Sequence, residues 1–404
     1  MISQAKKLKD NLITYTFLGL FFILAAFGSL LPIALGFLIL FCILNKKVQL
    51  FFKLKSLGLF LIASIFLMSA ISILYSIDPS YSLKKSIKLI SFLLIPIAFI
   101  LTNPNTILIE KAKTFFIYGC ITLCLFSLSN LAYNYFVNYE ISHWYNFVQT
   151  SMNREYMPED AMFLNTALIF LLFGNYSNLL KYFSAILFLA VIILFGVRLG
   201  LFLNILIILI FIILNFKQFL SIKKILIFAA SILVLFILTH QNSYTQDKLY
   251  DTLSKIGFNT KHKVSDIGQD YHKISLRSMM WGSSIDLIKE KPLFGYGAGV
   301  EKIQLEKQYE KRGYQIPAYN AHNQFLSTTI QFGLIGLIIL LSIFYFLFKC
   351  AIIDKSQSTF LVTLIMLASM STESYLEIQQ GSFYFAIFAS LLIIENKKNK
   401  VIEN

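Results

Sequence analysis

The feature that most constrains this chain is a series of apolar stretches, many of them about as long as a bilayer is thick. A helix needs roughly 20 predominantly apolar residues to cross the hydrocarbon core of a membrane. Hydrophobic residues make up 57% of the 404 positions, and there are 40 Phe. This is more apolar material than a water-soluble domain buries. The sequence therefore predicts an all-α integral membrane protein.

The apolar stretches number about twelve, so we expect a bundle of about twelve transmembrane helices. Two of them, 32–44 and 161–173, are short for a full crossing. The candidate spans are residues 12–30, 32–44, 57–75, 86–101, 114–137, 161–173, 182–195, 199–214, 222–239, 322–348, 359–371 and 381–394.

Charges at the ends of these stretches predict the orientation. Short cytoplasmic loops of membrane proteins are enriched in Lys and Arg, and one side of the predicted bundle collects most of the lysines and both termini. We therefore expect both termini in the cytoplasm and attribute the net charge of +14 to this bias, with no nucleic-acid partner. Lys84, Lys85 and Lys88 break the pattern. If 161–173 did not span, Lys217 and its neighbours would lie outside, so the charges favour a span there.

One large hydrophilic segment, 240–321, interrupts the apolar pattern. Its mixed charge and scattered aromatic residues are typical of a partly ordered loop and not of a bare linker. It divides the chain into about nine N-terminal helices (1–239), a large and partly helical periplasmic loop (240–321), and about three helices with a short cytoplasmic tail (322–404).

A single arginine stands out among the apolar residues. The run from 182 to 216 is too long for one span, and Gly196 and Gly200 bracket its only charge, Arg198. A tight turn there places Arg198 at a membrane surface. Because an arginine close to hydrocarbon costs roughly 2.5 kcal/mol or more, we favour a functional role over snorkelling to the headgroups.

Short motifs follow one another in the second half of the loop and beyond it. Glycine permits positive φ and close backbone approach, so the glycines of this region can shape a loop against a phosphate or a sugar. On spacing alone an ordinary turn after Pro292 is favoured, because short glycine motifs are weak indicators. The motifs are Arg277 with Trp281, then Pro292-Leu-Phe-Gly295-Tyr-Gly297-Ala-Gly299, then His322-Asn323, and then Gly333-Leu-Ile-Gly336.

The order and spacing of these motifs resemble the conserved core of the O-antigen ligase and polymerase family. The resemblance is strongest over 277–341, and it extends to Arg198 and to the segment 373–385. It implies a glycosyltransferase of the bacterial inner membrane with its active site facing the periplasm. The implied donor is an oligosaccharide on undecaprenyl diphosphate, and the implied acceptor is a hydroxyl of a glycan, a glycolipid or a protein, with inversion at the transferred sugar.

The chemistry of this reaction suggests roles for particular residues. Negative charge grows on the departing diphosphate, and arginine binds phosphate through two hydrogen bonds while staying protonated, so Arg198 and Arg277 are candidate diphosphate ligands. Histidine, with an unperturbed pKa of about 6.5, can accept the proton of the acceptor hydroxyl, and the resemblance assigns this role to His322. Further candidates for substrate binding are Trp281, Gly295, Gly297, Gly299, Tyr319, Asn323, Glu373, Glu377 and Gln380.

We expect neither a metal nor another cofactor. The sequence has no Asp-x-Asp pair of the kind that nucleotide-sugar transferases use. The remaining histidines lack the paired spacing of a metal site, and they are His143, His240, His262 and His272.

Several functions remain open at this point. A ligase transfers the glycan to the lipid A core, a polymerase transfers it to another lipid-linked repeat unit, and a protein O-oligosaccharyltransferase transfers it to a protein hydroxyl. A flippase or transporter of lipid-linked sugars, from a different class, would also have about twelve spans. Transporters usually carry internal repeats around a midplane site, whereas the candidate residues here gather at one membrane face, which favours the enzyme.

Overall fold

The computed structural model describes residues 2–44, 55–137, 147, 150–152, 156–215 and 276–402. These residues are predominantly helical, and they include no β-strand. The helices described are α1 (Ile2–Ala26), α2 (Leu31–Leu44), α3 (Lys55–Ser72), α4 (Pro79–Lys88), α5 (Ser91–Thr102), α6 (Thr106–Val137), α7 (Met157–Phe173), α8 (Asn178–Phe195), α9 (Arg198–Leu214), α10 (Leu276–Glu290), α11 (Glu301–Lys311), α12 (Gln324–Ile353), α13 (Gln357–Met370) and α14 (Gln379–Ile402).

The predicted spans within the described residues are helical, so the all-α prediction is confirmed there. The stretch 86–101 differs in detail, since it combines the end of α4 with most of α5. The stretch 222–239 lies outside the described residues, as does the first part of the predicted loop, 240–275.

Four helical segments of the described chain are both long and apolar enough to cross a membrane, which identifies a membrane protein. Several other apolar helices are shorter. The total of about twelve spans, the sidedness of the loop and the position of the termini therefore stay predictions. The four segments are Pro79–Thr102, Thr106–Val137, Asn178–Phe195 and Gln324–Ile353.

The chain forms two compact units, and the first combines Met1–Gly119 with Ile274–Asn404. Its centre is α14, which packs against α3, α5 and α12. Residues 381–394 of α14 are all buried, as expected of a helix that is apolar on every side. The ring of Phe388 lies 4.8 Å from that of Phe116 and 5.9 Å from that of Phe21. This apolar centre supports the polar groups described below.

Residues 276–321, the described part of the predicted loop, include two helices that pack against each other and against α12. An ion pair between Arg312 and Asp286 ties the end of α11 to α10. The loop is therefore partly helical, as predicted, in the part that the structure describes. Its apolar core is formed by Met280, Leu287, Tyr296, Val300, Leu305, Tyr309, Ala321 and Ile330.

Helix α12 is broken at Gly333, whose φ of 64° and ψ of −164° are not helical. A break leaves peptide groups without helical partners, and these groups need others when they are buried. The segment 292–299, here called the glycine segment, supplies them. Its hydrogen bonds to α12 run from Tyr296 N to Ile330 O (2.9 Å), from Gly297 N to Gln331 O (2.9 Å), and from Leu334 N to Pro292 O (2.7 Å).

The second unit comprises Cys120–Lys273, and in it α7 packs against α8 and α9. Helix α8 ends at Gly196, whose φ is 66°, and α9 begins at Arg198. The tight turn that the glycines predict is therefore confirmed. The side chain of Asn165 fixes the turn from α7: it donates to the carbonyl of Gly200 at 2.9 Å and accepts from the amide of Asn204 at 2.9 Å.

We expect Gly333→Ala to destabilise the first unit. A Cβ at this position would meet the backbone of Leu293 and Phe294, and a non-glycine residue at positive φ adds roughly 1–3 kcal/mol of strain. Thermal unfolding of the purified protein in detergent measures the effect. Gly36→Ala is the matched control, because a Cβ at Gly36 meets nothing within 4 Å. Equal unfolding midpoints for the two variants would show that stability does not depend on a glycine at the break in α12.

Candidate active site

His322 lies in a tight turn immediately before α12. Its φ of 44° is in the left-handed region, which few residues other than glycine adopt. The next residue, Asn323, is the N-cap of α12, and its side chain accepts hydrogen bonds from the amides of Phe325 (3.0 Å) and Leu326 (3.2 Å). An Asn in this role satisfies amides at the start of a helix. Asn323, which the sequence predicts to bind substrate, therefore fixes the backbone next to His322.

The imidazole of His322 is bonded to a carboxylate. Its Nδ1 lies 2.6 Å from Oε2 of Glu373, which follows the end of α13. An ionised carboxylate only accepts hydrogen bonds, so this contact places the proton on Nδ1 and leaves the lone pair of a neutral ring on Nε2. About a third of the His322 side chain and a quarter of the Glu373 side chain are exposed. The pair is therefore accessible from solvent.

Arg277, near the start of α10, approaches the same carboxylate. Its Nη2 lies 3.6 Å from Oε1 of Glu373 and 3.4 Å from the carbonyl oxygen of Thr372. Half of the Arg277 side chain is exposed, so part of its planar fork remains open to solvent. The structure thus brings together three of the predicted residues, His322, Arg277 and Glu373.

Two aromatic residues from the prediction flank this group. The indole N–H of Trp281 donates to the carbonyl of Ala321 at 3.0 Å, directly before His322. The ring centre of Tyr319 lies 6.1 Å from that of His322, and the Tyr319 carbonyl accepts from the hydroxyl of Tyr309 at 3.2 Å. Trp281 and Tyr319 are each exposed by more than a third. They offer aromatic surface beside the imidazole.

Glu301, the first residue of α11, lies beneath the His322 turn and is only 2% exposed. Its Oε1 accepts from the amide of Ala321 (2.9 Å) and the hydroxyl of Ser327 (2.7 Å), and its Oε2 accepts from the side-chain amide of Gln331 (3.2 Å). Burial, followed by the charge of Glu377, raises the pKa of Glu301 to about 7. Glu301 is therefore a buried acid that can change its charge near neutral pH.

Glu377 lies close to Glu301 and pairs with a lysine of α4. Its Oε1 accepts from the amide of Gln331 at 2.7 Å, and its Oε2 lies 2.8 Å from Nζ of Lys85. The ammonium group also donates to the carbonyl of Glu377 at 3.2 Å. Gln331 thus joins two carboxylates, and Lys85 supplies positive charge. We call Lys85, Glu301, Gln331 and Glu377 the buried cluster.

The last four amides of the glycine segment, those of residues 296–299, are occupied within the protein. Besides the bonds to α12, the amide of Ala298 donates to the Ser72 hydroxyl (3.0 Å) and that of Gly299 to the Gln331 side chain (2.7 Å). All three glycines have positive φ. A Cβ at Gly295 would meet the backbone of Ile330 and Gln331. Close backbone approach, which the sequence predicts, therefore occurs here against α12.

The last two predicted residues are Gln380 and Arg198. Gln380, at the start of α14, has its side chain against Gly28, in the turn between α1 and α2. Arg198 belongs to the second unit, where its side chain is exposed at the first turn of α9. The positive end of the helix dipole and the unpaired amides of a first turn both favour an anion at such a position.

Sequence reasoning missed Lys85, Glu301 and Gln331 as members of the site. A signal for Lys85 was available, because the lysines of α4 break the charge pattern, and a charge on the unexpected side calls for a partner. Glu301 follows the glycine segment by two residues, yet nothing in the sequence links it to Glu377. Within the described ranges, no group of three His, Cys, Asp or Glu side chains could hold a metal ion.

Lys85→Met is expected to destabilise the protein by about 3–5 kcal/mol, because removing one partner leaves a buried charge without compensation. Denaturant unfolding in detergent, followed by tryptophan fluorescence, measures the change. Lys84→Met provides the control, since Lys84 has the same charge on the exposed side of the same helix. A loss no larger than that of the control would show that Lys85 does not stabilise the buried cluster.

Comparisons with known proteins bear on the same residues. Residues 183–341 match the family described as O-antigen ligase. The match includes Arg198, Arg277, Glu301 and His322 and ends before Glu373. A comparison with curated proteins finds no match. The matched segment covers the motifs on which the sequence resemblance depends, so the resemblance to the O-antigen ligase and polymerase family is confirmed for this part of the chain.

Proposed function

We propose that this protein transfers an oligosaccharide or polysaccharide from undecaprenyl diphosphate to a hydroxyl of the lipid A core glycan, at the periplasmic face of the bacterial inner membrane. The observation that carries the proposal is the contact of 2.6 Å between His322 Nδ1 and Glu373 Oε2. A histidine bonded to a carboxylate is suited to accept a proton from a hydroxyl. Residues 183–341, which include His322, match the O-antigen ligase family. This match supports a lipid-linked glycan as the substrate on which the base acts.

In this proposal His322 is the general base. Its Nε2 accepts the proton of the acceptor hydroxyl as the acceptor oxygen attacks the anomeric carbon of the reducing-end sugar. The carboxylate of Glu373 holds the tautomer in which Nε2 is free, and it stabilises the imidazolium that forms. The strained left-handed backbone of His322 and the cap at Asn323 support a fixed position for the ring.

Arg277 is the proposed ligand of the diphosphate. The bond between the anomeric carbon and the diphosphate oxygen breaks with its electron pair going to the diphosphate, and the new bond forms on the opposite face of the sugar, which inverts the configuration. A guanidinium group stabilises the growing charge through bidentate hydrogen bonds. The 50% exposure of Arg277 leaves donors for this purpose. The assignment of Arg198 to the same role stays a prediction from the sequence.

The aromatic surfaces of Trp281 and Tyr319 support a sugar as the group beside His322. A pyranose ring has one face of C–H groups, which packs on an aromatic ring, while its hydroxyl groups remain solvated. The indole N–H is already occupied by the Ala321 carbonyl, so Trp281 offers its ring. Polymerisation of lipid-linked repeat units and transfer to a protein hydroxyl use the same chemistry, and only the acceptor differs.

His322→Ala is expected to lower the rate of glycan transfer by roughly 10²–10⁴-fold, the usual contribution of a general base. Membranes carrying either chain receive lipid-linked oligosaccharide with lipid A core, a second lipid-linked unit or a protein acceptor, and transfer and diphosphate release are followed together. Lys307→Ala, on the exposed side of α11, is the control. Transfer to the second lipid-linked unit alone would identify a polymerase instead of a ligase. Transfer to the protein alone would identify a protein O-oligosaccharyltransferase. Movement of donor lipid between leaflets without diphosphate release would contradict the enzyme.

Glu373→Gln tests the carboxylate separately from the base. An amide keeps the size of the side chain but does not enforce the same tautomer, so we expect kcat to fall by roughly 10²-fold or more, with little change in KM. Glu310→Gln, on the exposed side of α11, makes the same change of charge away from His322. A kcat equal to that of this control would exclude Glu373 from the mechanism.

A further inference from the structure

Glu301 is a buried acid that the proposed mechanism does not use. Both of its oxygens are occupied by donors: the Ala321 amide and the Ser327 hydroxyl reach Oε1, and the Gln331 side-chain amide reaches Oε2. Three donors directed at one carboxyl group match an ionised carboxylate, which can only accept. Burying a carboxylate costs free energy. We therefore expect this carboxylate to hold in place the segments whose groups donate to it.

A chain of hydrogen bonds leads from Glu301 to the residues that directly follow His322 and Glu373. The Ser327 hydroxyl donates to Glu301, so it accepts from the hydroxyl of Ser374, 2.7 Å away. The Ser374 hydroxyl in turn accepts from the amide of Asn323 at 3.2 Å. Ser374 directly follows Glu373, and Asn323 directly follows His322. The donors of this chain all point towards Glu301, which is its final acceptor.

A second contact reaches the same turn from the other side. The amide of Ala321, which directly precedes His322, donates to Glu301 Oε1 at 2.9 Å. The backbone on both sides of His322 is therefore tied to one carboxylate oxygen, directly on one side and through two hydroxyl groups on the other. The backbone after Glu373 is tied to it as well.

We infer that Glu301 is a positioning residue for the proposed transfer: its carboxylate holds the turn of His322 and the loop of Glu373 at the separation that the His–Glu contact needs. The inference rests on the proposed function for its chemistry, but the positioning itself is a property of this fold. A displacement of a catalytic group by about 1 Å can lower a rate by roughly 100-fold. In this role Glu301 does not contact substrate.

The charge of Glu301 depends on the groups that face it. Burial is the largest cause of the rise in the pKa of Glu301 to about 7, and the like charge of Glu377, in the Tyr375–Glu377 turn, raises it further. The positive charge of Lys85 on α4 lowers this pKa. Tyr309, on the same helix as Glu301, has its own pKa raised by burial and then by the charge of Glu301. Protonation of Glu301 adds a donor where three donors already point, so one of the three loses its acceptor.

The sign of the pH dependence differs between activity and stability. Activity requires the ionised carboxylate, so it is lost as the pH falls below about 7. The pKa of Glu301 is raised on folding, so its contribution to stability is fully present below the unfolded pKa of about 4.3 and is lost as the pH rises through the folded value. A residue with a structural role alone would change activity and stability in the same direction.

The test compares Glu301→Ala and Glu301→Gln with Glu306→Gln, which removes a charge from the exposed side of the same helix. We expect Glu301→Ala to lower kcat by roughly 100-fold, with the KM for donor and acceptor changed by less than about two-fold. Glu301→Gln retains a carbonyl oxygen for Ala321 and Ser327, so it should keep more activity. The acid limb of its kcat–pH profile should contain one ionisation fewer than that of the native protein.

Two results would overturn the inference: a kcat for Glu301→Ala within two-fold of that of Glu306→Gln, or an unchanged acid limb in Glu301→Gln. If Glu301→Ala does not fold, the profile of Glu301→Gln decides. If native protein transfers glycan to no acceptor, the proposed function fails, and hydrogen exchange of residues 319–327 then tests the positioning alone. Above pH 7, where Glu301 is ionised in the control, faster exchange in Glu301→Gln than in Glu306→Gln supports it, and equal exchange rejects it.

Discussion

The side-chain amide of Gln331 lies between two carboxylates, the buried Glu301 and the partly buried Glu377, and much of the described site depends on this contact. Glu301 and Glu377 repel each other, and each loses hydration on burial, so they require donors and a positive charge nearby. Gln331 donates to both, and Lys85 supplies the charge. These four residues come from α4, α11, α12 and the turn after α13. Satisfying them therefore brings four distant segments of the chain together under His322.

The ionisable groups of the site are arranged by depth. Half of the Arg277 side chain is exposed, about a third of His322 and a quarter of Glu373, whereas Glu301 is almost fully buried. Groups that must meet a substrate lie on the accessible side. Groups that only meet other protein groups lie beneath, where a low dielectric strengthens their interactions. This order separates the proposed chemistry from the proposed positioning.

The sequence was sufficient to predict the apolar helices of the described chain, because apolar stretches of a set length determine them locally. It also predicted the turn at Arg198 and the set that contains His322, Arg277 and Glu373, although the contacts among these three were not foreseen. It could not predict the buried cluster, because a partner such as Lys85 lies 292 residues from Glu377 and only the folded chain brings them together. The glycine segment shows the same limit. The spacing of the glycines indicated close backbone approach. It did not identify the partner, which is the break in α12, because a single glycine in an apolar stretch does not by itself predict a break.

The break at Gly333 divides α12 into two parts with different surroundings. Residues of α12 before the break are bonded to the glycine segment and to Glu301, so they are held with the site. Residues after it are bonded only at Leu334 to that segment and otherwise continue as an apolar helix. Those residues pack against α3, α13 and α14, and Leu340, Ile343, Phe344 and Leu347 among them are buried. The non-helical glycine therefore lets one helix serve two environments, a hydrogen-bonded end that holds the turn of His322 and an apolar end that packs in the helical bundle.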